Sequence, residues 1–255
     1  MRVIMFVTAA IGLIATSLAG QEFRWHGRLA QGATLEVRGI TGAIRASRAG
    51  GSEAEVVAVK HGARHDVDEV EIRVVEQDGG VTICAAYPSR HGRQAAGCSW
   101  DGQHDLEDSD VEVEFEVRVP PGVRFLGGTV TGDVEGRALP GDATLTTVNG
   151  DVDVEADGVA RATTVNGSIS ARLGRNEWEG QLRFTTVNGG ITVTFPGDLN
   201  ADIQATTVNG SVESDFPITL RGRMHAGSLR GRLGNGGRDL SLSTVNGDIR
   251  LRRGG

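Results

Sequence analysis

The chain has 255 residues with a formal net charge of −7, and 38 of its residues are glycine against 6 proline, 7 Phe, 3 Trp and 1 Tyr. Glycine at roughly twice its usual ~7% would suit collagen, but there is no Gly-X-Y period and little proline. Valine, leucine and isoleucine recur in alternating runs, which excludes disorder, and a net acidic chain lacks the basic face that nucleic-acid phosphates demand.

Residues 1–20 read as a secretory signal peptide. Arg2 supplies the positive n-region, Val3 to Ile14 a short apolar h-region, and Ser17-Leu18-Ala19 a small-x-small cleavage site. The apolar run is shorter than the ~20 residues of a membrane span, and no later run reaches that length. The expected location is therefore periplasmic or extracellular, with no transmembrane segment in the mature chain.

Residues 21–127 alternate as half-buried strands do. Examples are Thr34-Leu35-Glu36-Val37-Arg38, Val70-Glu71-Ile72-Arg73-Val74 and Val111 to Val119. Gly39-Ile40-Thr41-Gly42-Ala43-Ile44 reads as an isolated early rung. A small β-sheet or sandwich is expected here, capping the second half of the chain. Cys84 and Cys98 are the only cysteines. In an oxidising compartment they should pair and staple the loop Ala85–Gly97. A zinc site built from Cys84, His91, Cys98 and His104 is the competing arrangement, although no CxxC is present. Trp100 is expected to pack on that loop. His61 and His65, four apart, would suit a helical metal pair, but their segment reads as a solvated loop. Pro120-Pro121-Gly122 marks the hand-over to the second half.

Residues 128–255 carry a repeat. Thr-Thr-Val-Asn-Gly occurs at 146–150, 163–167, 185–189 and 206–210, and Ser-Thr-Val-Asn-Gly at 243–247. Weaker copies end at Gly132 and, through Met224-His225-Ala226, at Gly227. The marker glycines are spaced by 18, 17, 22, 21, 17 and 20 residues, a period that signals stacked repeats. Each is followed by period-two alternation, as in Asp151-Val152-Asp153-Val154, and no helical half-repeat fits. The fold class is therefore all-β: a β-solenoid (single-stranded β-helix) of about seven rungs, about 34 Å long at ~4.8 Å per rung. The predicted corner ladder is Asn149-Gly150, Asn166-Gly167, Asn188-Gly189, Asn209-Gly210 and Asn246-Gly247, with asparagines bonding one another and glycines supplying positive φ. The apolar Val148, Val165, Val187, Val208 and Val245 are expected to point inward. Thr147, Thr164, Thr186, Thr207 and Thr244 are then expected to point out. Adjacent Thr146 and Thr147 face opposite ways, which breaks the paired threonine rows of ice-binding solenoids.

A signal peptide, the early GITGAI rung, VTICAAYP, a strand ending VRVPPGV and serial TTVNGDVDV rungs resemble the bacterial putative-adhesin family over roughly residues 29–253. The resemblance implies an exported β-solenoid domain of unknown function. Some relatives are associated with envelope-stress signalling. The family has no agreed catalytic residues to carry over.

Chemistry is sparse. HExxH, GxSxG and a phosphate loop are absent. Asp133, Asp151 and Asp153 sit on neighbouring rungs, but Ser168, Gly190 and Ser211 occupy the later positions of Asp151, so no carboxylate cluster builds up. Trp178, between Glu177 and Glu179 in an insertion at Gly174–Gln181, is the candidate binding residue. It would stack on a sugar ring or meet a protein partner, or else fold back over the coil. Eight arginines between Pro217 and Gly255 would touch anionic lipid or polysaccharide, or lie on solvated strand edges. The expectation is a non-enzymatic scaffold without cofactor or metal, which binds or adheres to a protein or polysaccharide at the cell envelope. A regulatory partner in envelope-stress signalling and a carbohydrate-binding module are the alternatives.

Overall fold

The computed structural model describes residues 22–63, 66–77, 79–88, 98, 109–175, 177–220 and 227–254. The signal-peptide segment, Arg64, His65, His91, Trp100, His104 and Met224 to Ala226 lie outside the described residues. The first strands are β1 (Glu22–Gly27), β2 (Thr34–Arg38), β3 (Ile44–Arg48), β4 (Ala54–His61), β5 (Glu71–Gln77), β6 (Gly80–Ala86) and β7 (Glu112–Val119). The middle of the chain forms β8 (Arg124–Gly128), β9 (Val134–Leu139), β10 (Ala143–Thr146), β11 (Val152–Ala156), β12 (Ala160–Thr163), β13 (Ile169–Leu173), β14 (Gln181–Thr185) and β15 (Ile191–Phe195). The last are β16 (Ala201–Thr206), β17 (Val212–Ser214), β18 (Ile218–Leu220), β19 (Ser228–Leu233), β20 (Asp239–Ser243) and β21 (Ile249–Arg253). A single 3-10 turn, Val67–Glu69, completes the described elements. No helix among the described residues is long and apolar enough to cross a membrane.

Two sheets share one core. The first runs β1-β4-β7-β3-β9-β11-β13-β15-β21-β17 and the second β18-β19-β16-β20-β14-β12-β10-β8-β2-β6-β5. In most strands alternate residues point inward, as the burial of Ala143, Leu145, Val152, Val154 and Ala156 illustrates. Phe115, Phe125, Phe184 and Phe195 are the largest fully buried side chains. The N-terminal strands do not form a sheet of their own. β2 and β3 pair in parallel with β8 and β9, so the Gly42 corner stacks on the Gly132 corner. Antiparallel β1, β4 and β7 finish that end of the first sheet, and β5 with β6 finish the second.

Sequence order and spatial order diverge at the far end. The last repeat inserts between two earlier ones: β21 lies between β15 and β17, and β20 between β14 and β16. The corner bridges therefore run Thr41, Thr131, Asn149, Asn166, Asn188, Asn246, Asn209. The predicted Gly227 corner is corrected. Gly227 sits in the turn just before β19, which runs antiparallel to β16, and the Gly227 carbonyl accepts from Thr207 N at 2.6 Å.

The repeat's inside and outside are also the reverse of the expectation. Thr147, Thr164, Thr186, Thr207 and Thr244 are buried, while Val148, Val165, Val187, Val208 and Val245 are exposed. The phase is set by the preceding strand, where Ala143 and Leu145 point in and Thr147 continues the same parity. The hydroxyl is accommodated because it donates to a corner carbonyl on the neighbouring rung, so the buried threonine oxygen is not left unpaired.

Candidate functional site

The corner is the most regular exterior feature. Each of these asparagines bonds the preceding corner of the stack through its backbone: Asn166 N donates to Val148 O at 2.8 Å, and Asn166 O accepts from Gly150 N at 3.0 Å. The side chains form a second ladder. Asn166 Nδ2 donates to Asn149 Oδ1, Asn188 to Asn166, Asn246 to Asn188 and Asn209 to Asn246, all at 2.7–2.8 Å. Gly150, Gly167, Gly189 and Gly247 have φ between 151° and 158°. At Gly167 a Cβ would overlap the Gly150 carbonyl. Exposed valines flank this ladder at 37–39%, rising to 68% at Val208 on the last corner.

The aspartates after the corners serve the backbone. Asp133 Oδ1 accepts from Asp151 N at 2.8 Å, Asp151 Oδ1 from Ser168 N at 2.7 Å, and Asp248 Oδ1 from Ser211 N at 2.9 Å. The last bond, with the Ser211 hydroxyl and Arg250, holds the Asp248 carboxyl below its usual range. Asp153 instead points out of the first sheet, and burial raises its pKa, opposed by Arg172 and reinforced by Glu135. So the three aspartates considered for catalysis are not brought together at one reacting position.

Trp178 is only 9% exposed, which corrects its candidacy as a presented binding residue. Its ring stacks on Phe195 at 5.8 Å and lies beneath the Arg238 guanidinium. The apolar ring gains more from closing the core than from solvent exposure. Its Nε1 has no hydrogen-bond partner among the described residues.

Cys84 and Cys98 form a disulfide, so neither sulfur is a free thiolate ligand. Among the described residues no group of three or more His, Cys, Asp or Glu side chains converges. Both faces of β6 are buried, and Arg38 donates to the Cys98 carbonyl. Nearby, Tyr87 Oη donates to Val111 O at 2.8 Å, and burial pushes its pKa up to about 12. Lys60 Nζ donates to Val70 O at 2.9 Å and Val67 O at 3.1 Å, and burial lowers its pKa against Asp68, Asp66 and Glu71.

The outer face of the second sheet was not singled out by any sequence motif. Between β14, β20, β16 and β19 it is hollowed into an open groove of about 490 Å³, lined by Gln181, Gln204, Arg230, Asp239 and Ser241 among others. Only strand register, which no local pattern reveals, brings these residues together.

Residues 130–252 match the family model described as Toastrack DUF4097. No curated protein matches the chain. Among solved structures it is similar to a putative cell adhesion protein from Clostridium sporogenes ATCC 15579, at 11% identity and a TM-score of 0.51, over 92% of this chain and 100% of that one. It is also similar to a putative adhesin from Bacteroides fragilis NCTC 9343, at 14% identity and a TM-score of 0.39, over 91% and 97% of the two chains. The first likeness is one of fold.

Proposed function

We propose, from the match of residues 130–252 to the Toastrack DUF4097 family model, that this chain is an exported, non-enzymatic scaffold that presents a regular surface for binding at the cell envelope. We read the stacked corners from Gly42 to Gly210 as seven rungs of a solenoid, with antiparallel strands at both ends: β1, β4 and β5 at one, β18 and β19 at the other. The observation that carries the reading is the exterior. At the corners successive rungs repeat the same outward residues, so asparagines form a row along the stack with exposed valines beside them. Such a surface suits a long partner contacted at many equivalent points, where weak single contacts multiply into useful affinity. The cell-adhesion description belongs to the clostridial protein, and it supports this reading by analogy of fold alone. The non-enzymatic part draws support from Asp133 and Asp151, whose carboxylates accept backbone N–H groups of the next rung.

The test is saturable binding of the purified full chain to isolated envelope material, which the proposal requires. A chain that binds no envelope fraction would overturn it. Turnover on a polysaccharide panel, lost in Asp151→Ala, would overturn the non-enzymatic reading.

A further inference from the structure

The two sheets carry charge differently on their outer faces. On the first, arginines meet carboxylates within a rung, as Arg137 with Glu135 and Arg250 with Asp248 at 2.7 Å, and between rungs, as Arg172 with Asp153 at 3.8 Å and Arg252 with Glu213 at 3.1 Å. On the second, one row across the strands reads Thr144, Arg161, Arg183, Ser241, Gln204, Arg230, by the register of β10, β12, β14, β20, β16 and β19. That row holds no carboxylate. Arg161, Arg183 and Arg230 are exposed and make no ion pair among the described residues. Arg183 donates only to Gln181 Oε1, at 2.8 Å.

Two residues along the same strands lies a row of hydroxyls: Thr146, Thr163, Thr185, Ser243, Thr206 and Ser228. The two rows stand about 6.6 Å apart, and their members about 4.8 Å apart, by strand geometry. On the other side of the arginines come Gln181, Asp239, Asp202 and Arg232. There Asp202 is tied to Arg232 and to Gly237 N. The groove opens between this row and the arginines.

We propose that this face is a binding site for an anionic linear polysaccharide laid across the strands, along the axis of the stack. The inference rests on the envelope-binding reading and names its ligand class and its site. Arg161 and Arg183, one strand apart, offer adjacent guanidinium forks, the geometry that matches a carboxylate. Arg230 supplies a second cationic point about 14 Å from Arg183, three strand spacings on. Between them Ser241, Gln204 and the hydroxyl row are neutral donors and acceptors, suited to sugar hydroxyls. Of the two acids lining the groove, Asp202 is tied to Arg232 and Gly237 N, and Asp239 accepts from such hydroxyls. An extended glycan advances by about one inter-strand spacing per ring, so each ring meets a new strand. The net charge of −7 opposes indiscriminate polyanion binding, so affinity depends on this local row.

The full chain is titrated with a soluble polyuronate, a neutral β-glucan of similar length and vesicles rich in anionic lipid. Polyuronate binding is expected to exceed neutral-glucan binding by about tenfold or more and to weaken as ionic strength rises. The triple variant Arg161→Ala/Arg183→Ala/Arg230→Ala should lose about tenfold or more in polyuronate affinity, with an unchanged unfolding midpoint, whereas Arg172→Ala on the other sheet should lose none. Undiminished polyuronate binding by the triple variant overturns the proposal. Equal binding of the neutral glucan overturns it too, as does binding of vesicles without polyuronate. If the triple variant still binds isolated envelope material as the parent chain does, only this site falls. If the parent chain binds no envelope material, the broader reading falls with it.

Discussion

Thr147, Thr164, Thr186, Thr207 and Thr244 donate their buried hydroxyls to the carbonyls of Gly132, Gly150, Gly167, Gly247 and Gly189, at 2.8–2.9 Å. A buried carbonyl deprived of its donor costs more than the bond is worth on balance, because its desolvation is no longer offset. Thr164→Val keeps the shape and loses only the hydroxyl, so it should destabilise the fold by about 1 kcal/mol. Val165→Thr, one residue along at an exposed position, should change stability by no more than about 0.5 kcal/mol. Urea unfolding of the two variants checks the pair, and equal effects would contradict the assigned faces. Tyr87 gives a pH-dependent counterpart. Its pKa is pushed up from 10.0 to about 12, chiefly by burial, so the native state holds its phenolic proton longer than the unfolded chain does. The resulting stability is complete below pH 10 and is lost as pH rises from 10 to about 12. At 1.36 kcal/mol per unit this amounts to up to about 2–3 kcal/mol. Unfolding at stepped alkaline pH should show that fall in the parent chain and a shallower one in Tyr87→Phe.

At the scale of the element, the corner combines a backbone ladder, a side-chain ladder and a glycine with no room for a side chain. Gly167→Ala would put a Cβ into the Gly150 carbonyl at a φ of 158°, so the rung must shift. The expected loss is several kcal/mol, above the range of ordinary surface changes, and thermal unfolding measures it. Asn188→Ala should cost less, about 1–2 kcal/mol, since it removes two exposed amide bonds and leaves the backbone ladder intact. Much of this was legible in the sequence, because strand alternation and an Asn-Gly corner are local signals. The side of the threonine was not. Hydropathy ranks valine as the inward residue, while the phase is carried by Ala143 and Leu145 upstream and the hydroxyl finds its acceptor on another rung. Trp178 was misleading for a related reason. Its acidic neighbours suggest exposure, yet the surface it covers, Phe195, lies on β15 and is invisible from the insertion itself. The arginine row was illegible as a row: Arg230 falls in the arginine-rich stretch 217–255, but Arg161 and Arg183 lie dozens of residues upstream and meet it only through register.

On the scale of the whole molecule, the decisive feature is the insertion of the last repeat. Because TTVNG and STVNG copies are nearly identical, any rung can in principle stack on any other, and local sequence does not say which neighbours it takes. The choice is set by β19, which runs back antiparallel to β16 and returns the chain to the gap between β14 and β16. The final strands then serve two neighbours each: β20 pairs with β14 and β16, and β21 with β15 and β17. Leu240, Leu242, Ile249 and Leu251, all at most 1% exposed, fill the core between them. A chain built in sequence order would lose only a terminal rung on removal of residues 239–254, whereas this chain would lose the link that holds 201–233 to the rest. Deleting 239–254 should therefore abolish the protection of β16, β17 and β19 as well, while β8 to β13 keep theirs, since stability in stacked repeats is local to nearest neighbours. Amide hydrogen exchange read by peptide reports the two regions separately. Retained protection across 201–206 in the truncated chain would show that β16 stacks directly on β14, and the inserted order would then be wrong.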